Sequence, residues 1–238
     1  MKIGIIGYGK MGQTIQELAL QRGHQIAAVV DVNSEDTLED LVSREVKVVI
    51  EFTSPAAAVQ NITFCLDHDL PIVSGTTGWL DQLEDIKTIC STRQGAFFYA
   101  SNFSIGVNIF FAVNRFVAKQ MNTRSQYQIF MKEVHHPQKL DAPSGTAITL
   151  AEDIIELVGR KTQWINFEEA EENEISIVSE RLEGVPGTHV VEYASVIDTI
   201  EIKHTAHSRE GFASGALDAA EWIVGRNGVF TMQDMLGF

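Results

Sequence analysis

The first hundred residues alternate between short apolar runs and amphipathic stretches. Residues 2–7 form an apolar, β-branched run that ends in glycine, which is typical of a buried strand. Apolar side chains at Met11, Ile15, Leu18 and Ala19 recur at helical spacing and predict a helix over residues 10–22. The same reasoning predicts strands over 25–31, 46–52, 70–74 and 96–100, and helices over 55–65 and 80–90. This alternation predicts a parallel sheet covered by helices on both faces.

The pattern changes after residue 100. We predict a long helix over 107–121, a strand over 127–134 and a helix that begins at Ser144. Four glutamates among residues 167–173 indicate a solvated loop. Strand-like runs at 175–181, 189–194 and 199–204 have no helix between them and predict a mixed or antiparallel sheet. The last predicted helix, over 211–224, is amphipathic and could pack against the first domain.

Composition and charge exclude several classes of function. The 238 residues are 45% hydrophobic and 21% charged, which is ordinary for a globular protein. A net charge of −14 disfavours nonspecific binding to nucleic acid or to an anionic membrane. Cys65 and Cys90 lie in no metal-ligand spacing and are expected to be buried, so we expect no metal. The N-terminal apolar run is too short to span a membrane and precedes no cleavage site, which predicts a soluble, cytoplasmic protein.

A glycine-rich turn follows the first predicted strand. Gly7, Gly9 and Gly12 fit the G-x-G-x-x-G fingerprint, and Asp31 ends the next strand 19 residues beyond Gly12. Gly7 permits the tight turn, Gly9 admits a pyrophosphate and Gly12 allows close helix packing, while the carboxylate would accept hydrogen bonds from ribose hydroxyls. The alternative is a glycine-rich turn without a ligand. The context favours a dinucleotide site and an α/β fold, with a Rossmann-like parallel sheet (residues 1–103, completed by 212–238) and a second α+β domain (104–211).

Two further turns fall at the carboxyl ends of predicted strands, where such a sheet presents its ligand contacts. One is the Gly-Thr-Thr-Gly sequence at 75–78, and the other covers residues 100–103. Each by itself is equally compatible with a simple loop. Together with the fingerprint they give these candidate cofactor-binding residues: Gly7, Tyr8, Gly9, Lys10, Met11, Gly12, Asp31, Gly75, Thr76, Thr77, Ala100, Ser101, Asn102 and Phe103.

The segment 135–147, HHPQKLDAPSGTA, concentrates the chemistry of the chain. His135, His136 and Lys139 are costly to bury unless they are paired. Ser144 is a good N-cap, and the backbone N–H groups of Gly145 and Thr146 would point to an anion at the helix start. Structural histidines and a surface lysine are the alternative for each residue alone. Their joint placement predicts a carboxylate or phosphate site with acid/base capacity.

These motifs together resemble the dihydrodipicolinate reductase family. The resemblance is carried by residues 133–136 (EVHH) and 139–147 (KLDAPSGTA), which match the family signature almost residue for residue. The fingerprint at Gly7, residues 51–53 (EFT), 75–78 (GTTG), 101–104 (SNFS) and the stretch 202–209 are its other marks. The resemblance covers nearly the whole chain.

The resemblance implies roles for individual residues. His135 corresponds to the proton donor and acceptor, and Lys139 to a second proton-donating residue. His136, together with the Ser144-Gly145-Thr146 helix start, corresponds to the substrate site. The family is typically a homotetramer built through the sheets of its second domain. The chain departs from the family after Asp31, where the loop to residue 46 is short and Val32 stands where relatives that use NADPH commonly have arginine.

The implied reaction is the NAD(P)H-dependent reduction of a cyclic dicarboxylate imine to tetrahydrodipicolinate, on the diaminopimelate route to lysine. Carboxylates need cations, and hydride addition to the ring leaves a carbanion-like centre that needs a proton, which the residues of 135–147 could supply. We expect NADH to be preferred over NADPH. Two alternatives remain open: another two-domain nicotinamide dehydrogenase for a small amino or keto acid, and a nucleotide-binding sensor without turnover.

Overall fold

A computed structural model describes residues 1–208 and 210–238 of the chain. The chain forms two compact units. The first comprises Met1–Ile105 and Glu210–Phe238; the second comprises Gly106–Arg209, of which Arg209 lies outside the described residues. The family stretch 202–209 is therefore described as far as Ser208.

The first unit is built from alternating strands and helices. In chain order its strands are β1 (Lys2–Ile6), β2 (Gln25–Val30), β3 (Val48–Glu51), β4 (Ile72–Ser74), β5 (Ala96–Tyr99) and β11 (Gly228–Phe230). Its helices are α1 (Lys10–Gln21), α2 (Leu38–Ser43), α3 (Pro55–Asp67), α4 (Leu83–Arg93), α7 (Glu210–Ile223) and α8 (Met232–Leu236), and a 3₁₀ turn covers Leu80–Gln82. All strand pairs are parallel, in the order β11-β5-β4-β3-β1-β2.

This topology confirms the Rossmann-like prediction. Because the strands are parallel, their carboxyl ends meet at one edge of the sheet. The direction of strand succession reverses between β1 and β3, and such sheets bind their ligands in the crevice at this switch point. Two buried apolar clusters cover the faces of the sheet: one includes Ile15 of α1 and Leu217 of α7, the other Ile62 of α3 and Ile86 of α4.

The second unit contains a mixed sheet and two helices. Its elements are α5 (Ile105–Met121), β6 (Gln128–His135), α6 (Gly145–Leu157), β7 (Gln163–Ile165), β8 (Glu174–Arg181), β9 (Gly187–Ala194) and β10 (Thr199–Ala206). In the strand order β10-β9-β6-β8-β7, β9 is antiparallel to both of its neighbours, whereas β6, β7 and β8 run parallel. Leu150, Ile177 and Tyr193 lie at the centre of its core.

Four short elements were not predicted. They are α2, β7, β11 and α8, of three to six residues each. Such elements are too short to show a hydrophobic period, although Thr37 with Asp40 and Thr231 with Asp234 form the capping boxes that begin α2 and α8. Residues 167–173 form the expected loop without helix or strand, and Cys65 and Cys90 are buried as predicted. Among the described residues, no helix combines the length and apolarity that a membrane crossing requires.

Candidate functional site

The glycine-rich turn joins β1 to α1 at the switch point. Gly7 has φ +90°, and a Cβ atom there would lie 2.0 Å from the carbonyl oxygen of Phe52. A Cβ at Gly12 would lie 2.2 Å from the carbonyl oxygen of Gly7, so the helix packs closely against the turn. At Gly9 no atom lies within 4 Å of the Cβ position. Gly9 is also the N-cap of α1 and has no side-chain cap, which leaves this helix start suited to an anion.

Asp31 follows β2 and contacts the glycine-rich turn. Its Oδ2 accepts a hydrogen bond from the backbone N–H of Tyr8 at 2.7 Å, and its Oδ1 lies 3.4 Å from the backbone nitrogen of Asn33. The predicted ribose acceptor therefore also fixes the turn. Val32 next to it is 96% exposed.

Glu51 ends β3 as a fully buried carboxylate. It accepts hydrogen bonds from the hydroxyls of Ser74 (2.5 Å) and Thr76 (2.8 Å), and from both the backbone N–H (3.1 Å) and the hydroxyl of Thr53. These bonds tie the carboxyl end of β3 to that of β4. The sequence marked Glu51 as a family residue but gave it no role; a carboxylate that ends an otherwise apolar strand was the available signal.

The other predicted cofactor residues lie at the same sheet edge but differ in what they expose. Thr76 is buried and its hydroxyl is held by Glu51, whereas Thr77 is exposed. Phe103 is 2% exposed and packs in the core against Phe98 and Phe52. Ligand contacts from Thr76 and Phe103 would therefore have to use the backbone. The remaining candidates stand as follows: Lys10 and Ser101 are exposed, Tyr8, Met11, Gly75 and Asn102 are half-buried, and Ala100 is buried.

His135 is the last residue of β6, and Glu133 precedes it on the same face of the strand because side chains alternate. The Nδ1 of His135 lies 2.9 Å from Oε2 of Glu133. His135 is 7% exposed, and its Nε2 faces Gly187 of β9, where a Cβ atom would lie 3.0 Å away. Nδ1 therefore forms an ion pair with Glu133, and Nε2 lies beside a glycine, Gly187, which has no side chain to crowd it.

Glu133 is fully buried and lies at the centre of a charged network. Its Oε1 accepts from both terminal nitrogens of Arg181, each at 3.3 Å. Burial raises the pKa of the Glu133 carboxyl, but the neighbouring side chains of His135, Ser144 and Ser179 outweigh burial and hold the pKa well below its ordinary value. Glu133 is therefore ionised at neutral pH.

His189 lies opposite Glu133 in the β6–β9 register. Its Nε2 is 3.0 Å from the hydroxyl of Ser144, and its ring lies edge-on to His135 at 5.1 Å between centroids. Burial, and next the charge of His135, lower the pKa of His189 to about 4, so it is neutral at pH 7. Ligand atoms of Glu133, His135 and His189 lie within 4.8 Å of one another. The cluster is a charged network centred on Glu133: its Oε1 accepts from Arg181, its Oε2 forms the 2.9 Å ion pair with His135, and Ser144 contacts His189.

Neither His189 nor Arg181 was among the predicted site residues. The signal for the network was present in β6, where Ile129 and Met131 are buried and Glu133 and His135 continue the same alternation. Two ionisable side chains on the buried face of a strand require partners. Which partners they find depends on the pairing of β6 with β8 and β9, which the sequence did not reveal.

The loop after β6 carries Lys139. Its ammonium lies 2.8 Å from each carboxylate oxygen of Asp141, and the backbone N–H of Lys139 donates to the carbonyl of His136 at 3.1 Å. Arg181 donates from Nη2 to the carbonyl oxygen of Asp141 at 2.7 Å and from Nε to that of Lys139 at 3.3 Å. The guanidinium that binds Glu133 therefore also fixes this loop. His136 is half-buried.

Helix α6 begins as predicted. Ser144 is its N-cap, and its hydroxyl accepts from the backbone N–H of Ala147 at 3.2 Å. Gly145 is exposed, with no atom within 4 Å of its Cβ position, and Thr146 is half-buried. The first-turn N–H groups of Gly145 and Thr146 have no intrahelical partner by position and are placed to meet an anion. The second unit therefore holds an imidazole, an ammonium and a helix start within one segment.

The sheet, the glycine-rich turn and the residues at the sheet edge define the class of two-domain proteins with a dinucleotide-binding fold. Residues 1–103 match the family described as dihydrodipicolinate reductase, N-terminus, and residues 106–236 match dihydrodipicolinate reductase, C-terminus. The chain belongs to the dihydrodipicolinate reductase family.

Individual relatives agree with this assignment. A protein of Christiangramia forsetii named 4-hydroxy-tetrahydrodipicolinate reductase is 50% identical over 236 residues, which are 99% of this chain and 98% of the relative. A protein of the same name from Methanoregula boonei is 33% identical and matches over 96% of this chain and 94% of its own. The fold is similar to that of the dipicolinate-bound dihydrodipicolinate reductase from Paenisporosarcina sp. TG-14, with a TM-score of 0.83 over 99% of both chains at 23% identity.

Proposed function

We propose that this protein is a 4-hydroxy-tetrahydrodipicolinate reductase, a cytoplasmic enzyme of the diaminopimelate route to lysine. The observation that carries the proposal is the buried His135–Glu133 pair in a segment that continues into the capped start of α6. This segment supplies both chemical needs of the reaction, a proton for the reduced ring and donors for its carboxylates. The relatives with full-length matches carry the name of this activity.

The first unit has the features that a nicotinamide dinucleotide requires. The unobstructed space at Gly9 and the uncapped start of α1 suit the pyrophosphate, and Asp31 lies at the end of β2 to accept from the ribose. The turns after β4 and β5, at 75–78 and 100–103, supply further contacts. When bound, the reduced nicotinamide supplies a hydride to the substrate.

The second unit binds the dicarboxylate substrate in this proposal. The N–H groups of Gly145 and Thr146 donate to one substrate carboxylate at the helix start, and Ser144 fixes that start through its cap. Lys139 and His136 supply cationic or hydrogen-bonding contacts to the remaining polar groups. His135 donates a proton from Nε2 to the ring carbon that hydride addition leaves electron-rich.

NADH is the preferred coenzyme in this proposal. The 2′-phosphate of NADPH would approach Asp31, and residues 32–43 contain no Lys or Arg. Arg44 follows, but its guanidinium binds Asp36 at 2.7 Å and Asp40 at 3.2 Å. That pairing also neutralises Asp36, so Asp31 is the main source of repulsion.

A homotetramer is the proposed assembly. Along β6, Gln128, Phe130 and Lys132 alternate with buried positions and are exposed in the single chain, and Phe130 is 45% exposed. An open sheet face with a large apolar side chain is a suitable surface for a second copy. Light scattering coupled to gel filtration measures this directly: four times the mass of the 26.4 kDa chain supports the tetramer, and a monomer refutes it.

The test of the proposed activity is oxidation of NADH followed at the nicotinamide absorbance band. The substrate is generated in the cuvette from pyruvate and aspartate semialdehyde by a separate synthase. Turnover that depends on both precursors supports the proposal. NADH binding without turnover indicates a sensor, and turnover with other amino or keto acids alone indicates a different dehydrogenase.

A further inference from the structure

Glu133 is buried without a solvent contact, yet it is held ionised by its neighbours. Such a carboxylate is costly to bury, and its two oxygens have different partners. Oε1 is bound by the guanidinium of Arg181, while Oε2 faces Nδ1 of His135 at 2.9 Å. The strand pairing places both partners beside Glu133, because His135 and Arg181 are register partners on β6 and β8.

This arrangement determines the protonation of His135. The two atoms lie at ion-pair distance, although they are not aligned as a regular hydrogen bond. An ionised carboxylate has no proton to offer, so at 2.9 Å it attracts a hydrogen on Nδ1 and repels a lone pair there, which favours a proton on Nδ1 of the imidazole. In the imidazolium form the second proton is then on Nε2. Once Nε2 has given its proton away, the neutral ring that remains carries its hydrogen on Nδ1 and a lone pair on Nε2.

The surroundings of Nε2 agree with that orientation. Gly187 of β9 faces this nitrogen, and a Cβ atom there would lie 3.0 Å from Nε2 and 3.3 Å from Cδ2. Gly187 does not have a positive φ, so backbone strain does not demand glycine at this position. What glycine provides here is space beside the nitrogen that Glu133 leaves unpaired.

The geometry points to Glu133 as the positioning residue for His135: it holds a proton on Nδ1 and thereby makes Nε2 the atom that donates to substrate. This inference rests on the proposed function. In the step itself the N–H bond at Nε2 breaks, its electron pair stays on the nitrogen, and a C–H bond forms at the ring carbon made electron-rich by hydride addition. One hydride and one proton together account for the two hydrogens gained by the ring.

Other titratable groups lie on the elements around His135. Arg181 lies on β8, neutral His189 lies on β9, and Lys139 and Asp141 lie on the loop after β6. The start of α6 carries no acidic residue in its first turn. In the part of the chain that the structure describes, Glu133 is the carboxylate within ion-pair distance of the ring, so replacing it changes the electrostatic surroundings of His135.

The experiment compares Glu133→Gln with wild type, since glutamine keeps the shape and one acceptor oxygen but loses the charge. We expect kcat to fall at least tenfold while KM changes less than about threefold. Wild-type kcat in this variant would overturn the assignment. Equal falls in kcat and in folded protein would show a structural role only, and would also overturn it.

Gly187→Ala tests the other side of the ring, with Gly159→Ala as its matched control. Gly159 is an exposed glycine in the same unit, also without a positive φ, and its Cβ position is 4.0 Å from its nearest neighbour. We expect Gly187→Ala to lower kcat by crowding Nε2 and Gly159→Ala to leave it unchanged. Wild-type kcat in the Gly187 variant would contradict the role of Nε2.

A spectroscopic measurement separates this inference from the proposed activity. In ¹⁵N-histidine-labelled protein the His135 resonances are those missing from His135→Gln. If Glu133 fixes the ring, the neutral form of His135 carries its proton on Nδ1 in wild type and loses that preference in Glu133→Ala. A neutral ring protonated on Nε2 in wild type would overturn the inference, whether or not the enzyme turns over this substrate. Failure of turnover alone would refute the proposed function.

Discussion

Lys139 holds both carboxylate oxygens of Asp141 at 2.8 Å. The carboxylate is well exposed, and ion pairs of this kind contribute about 0–1 kcal/mol. An incoming dicarboxylate can therefore take over the ammonium at little cost. The sequence predicted Lys139 as a site residue but not this pair, which holds the ammonium on the loop between β6 and α6.

We expect His135→Ala and Lys139→Ala each to lower turnover by roughly 10²- to 10⁴-fold, the usual range for loss of a general acid. The binding of NADH should persist in both variants because the dinucleotide fingerprint lies in the first unit. Steady-state kinetics measure the first effect, and quenching or enhancement of nicotinamide fluorescence measures the second.

Lys87→Ala is the matched control, because Lys87 makes a comparable 2.7 Å pair with Glu84 on the exposed face of α4. Its kinetics should equal those of wild type. Near wild-type rates in the His135 and Lys139 variants would remove both residues from the mechanism.

The elements with a clear hydrophobic period were predicted from the sequence, including α1, α5, α6 and the strands that carry the site. The Ser144 cap was predictable because capping is local. The His135–Glu133–Arg181 contacts were not, because Arg181 is brought to β6 by parallel strand pairing across nearly fifty positions. His189 was not predicted for the same reason, because its position opposite Glu133 depends on the β6–β9 register.

Pyridine-2,6-dicarboxylate should compete with the substrate, and pyridine-2-carboxylate should bind more weakly. Loss of one charge-assisted contact at the Gly145–Thr146 helix start should cost about 1.5–3 kcal/mol. Inhibition constants measured side by side decide this. Equal inhibition by the two compounds would contradict a carboxylate clamp at α6.

We expect the catalytic efficiency with NADH to exceed that with NADPH by roughly tenfold or more, about 1.4 kcal/mol. A like-charge contact near 4 Å is worth about 4 kcal/mol at an effective dielectric of 20, before solvent relaxation reduces it. Val32→Arg should narrow the gap, since Val32 is exposed next to Asp31 and arginine would offer a guanidinium to the 2′-phosphate.

Equal or better efficiency with NADPH in wild type would show that another residue governs selectivity. Lys10 in the glycine-rich turn is the first to test, because it is exposed there. Its replacement by Ala should then abolish the use of NADPH.

The folded protein should become less stable as the pH is lowered, because the buried His189 resists protonation. Its pKa is lowered from 6.5 to about 4 by burial and by the charge of His135, so the folded protein resists a proton that the unfolded chain takes up. This contribution to stability is therefore complete above pH 6.5 and is lost as the pH falls from about 6.5 to 4. The loss amounts to about 3 kcal/mol at most.

Urea unfolding at pH 7 and at about pH 4.5 measures this effect. His189→Gln keeps hydrogen-bonding capacity but cannot titrate, and it should lose less stability between the two conditions than wild type. His68→Gln replaces an exposed histidine at the end of α3 and serves as the control. An identical pH dependence in wild type and in His189→Gln would contradict the assignment of the buried neutral imidazole.

The most direct test of the proposed function is the turnover of the substrate formed from pyruvate and aspartate semialdehyde, with NADH as the reductant. We predict stoichiometric oxidation of NADH that requires both precursors, is inhibited by pyridine-2,6-dicarboxylate, and is lost in His135→Ala. Absence of NADH oxidation by folded, NADH-binding wild-type protein under these conditions would contradict it.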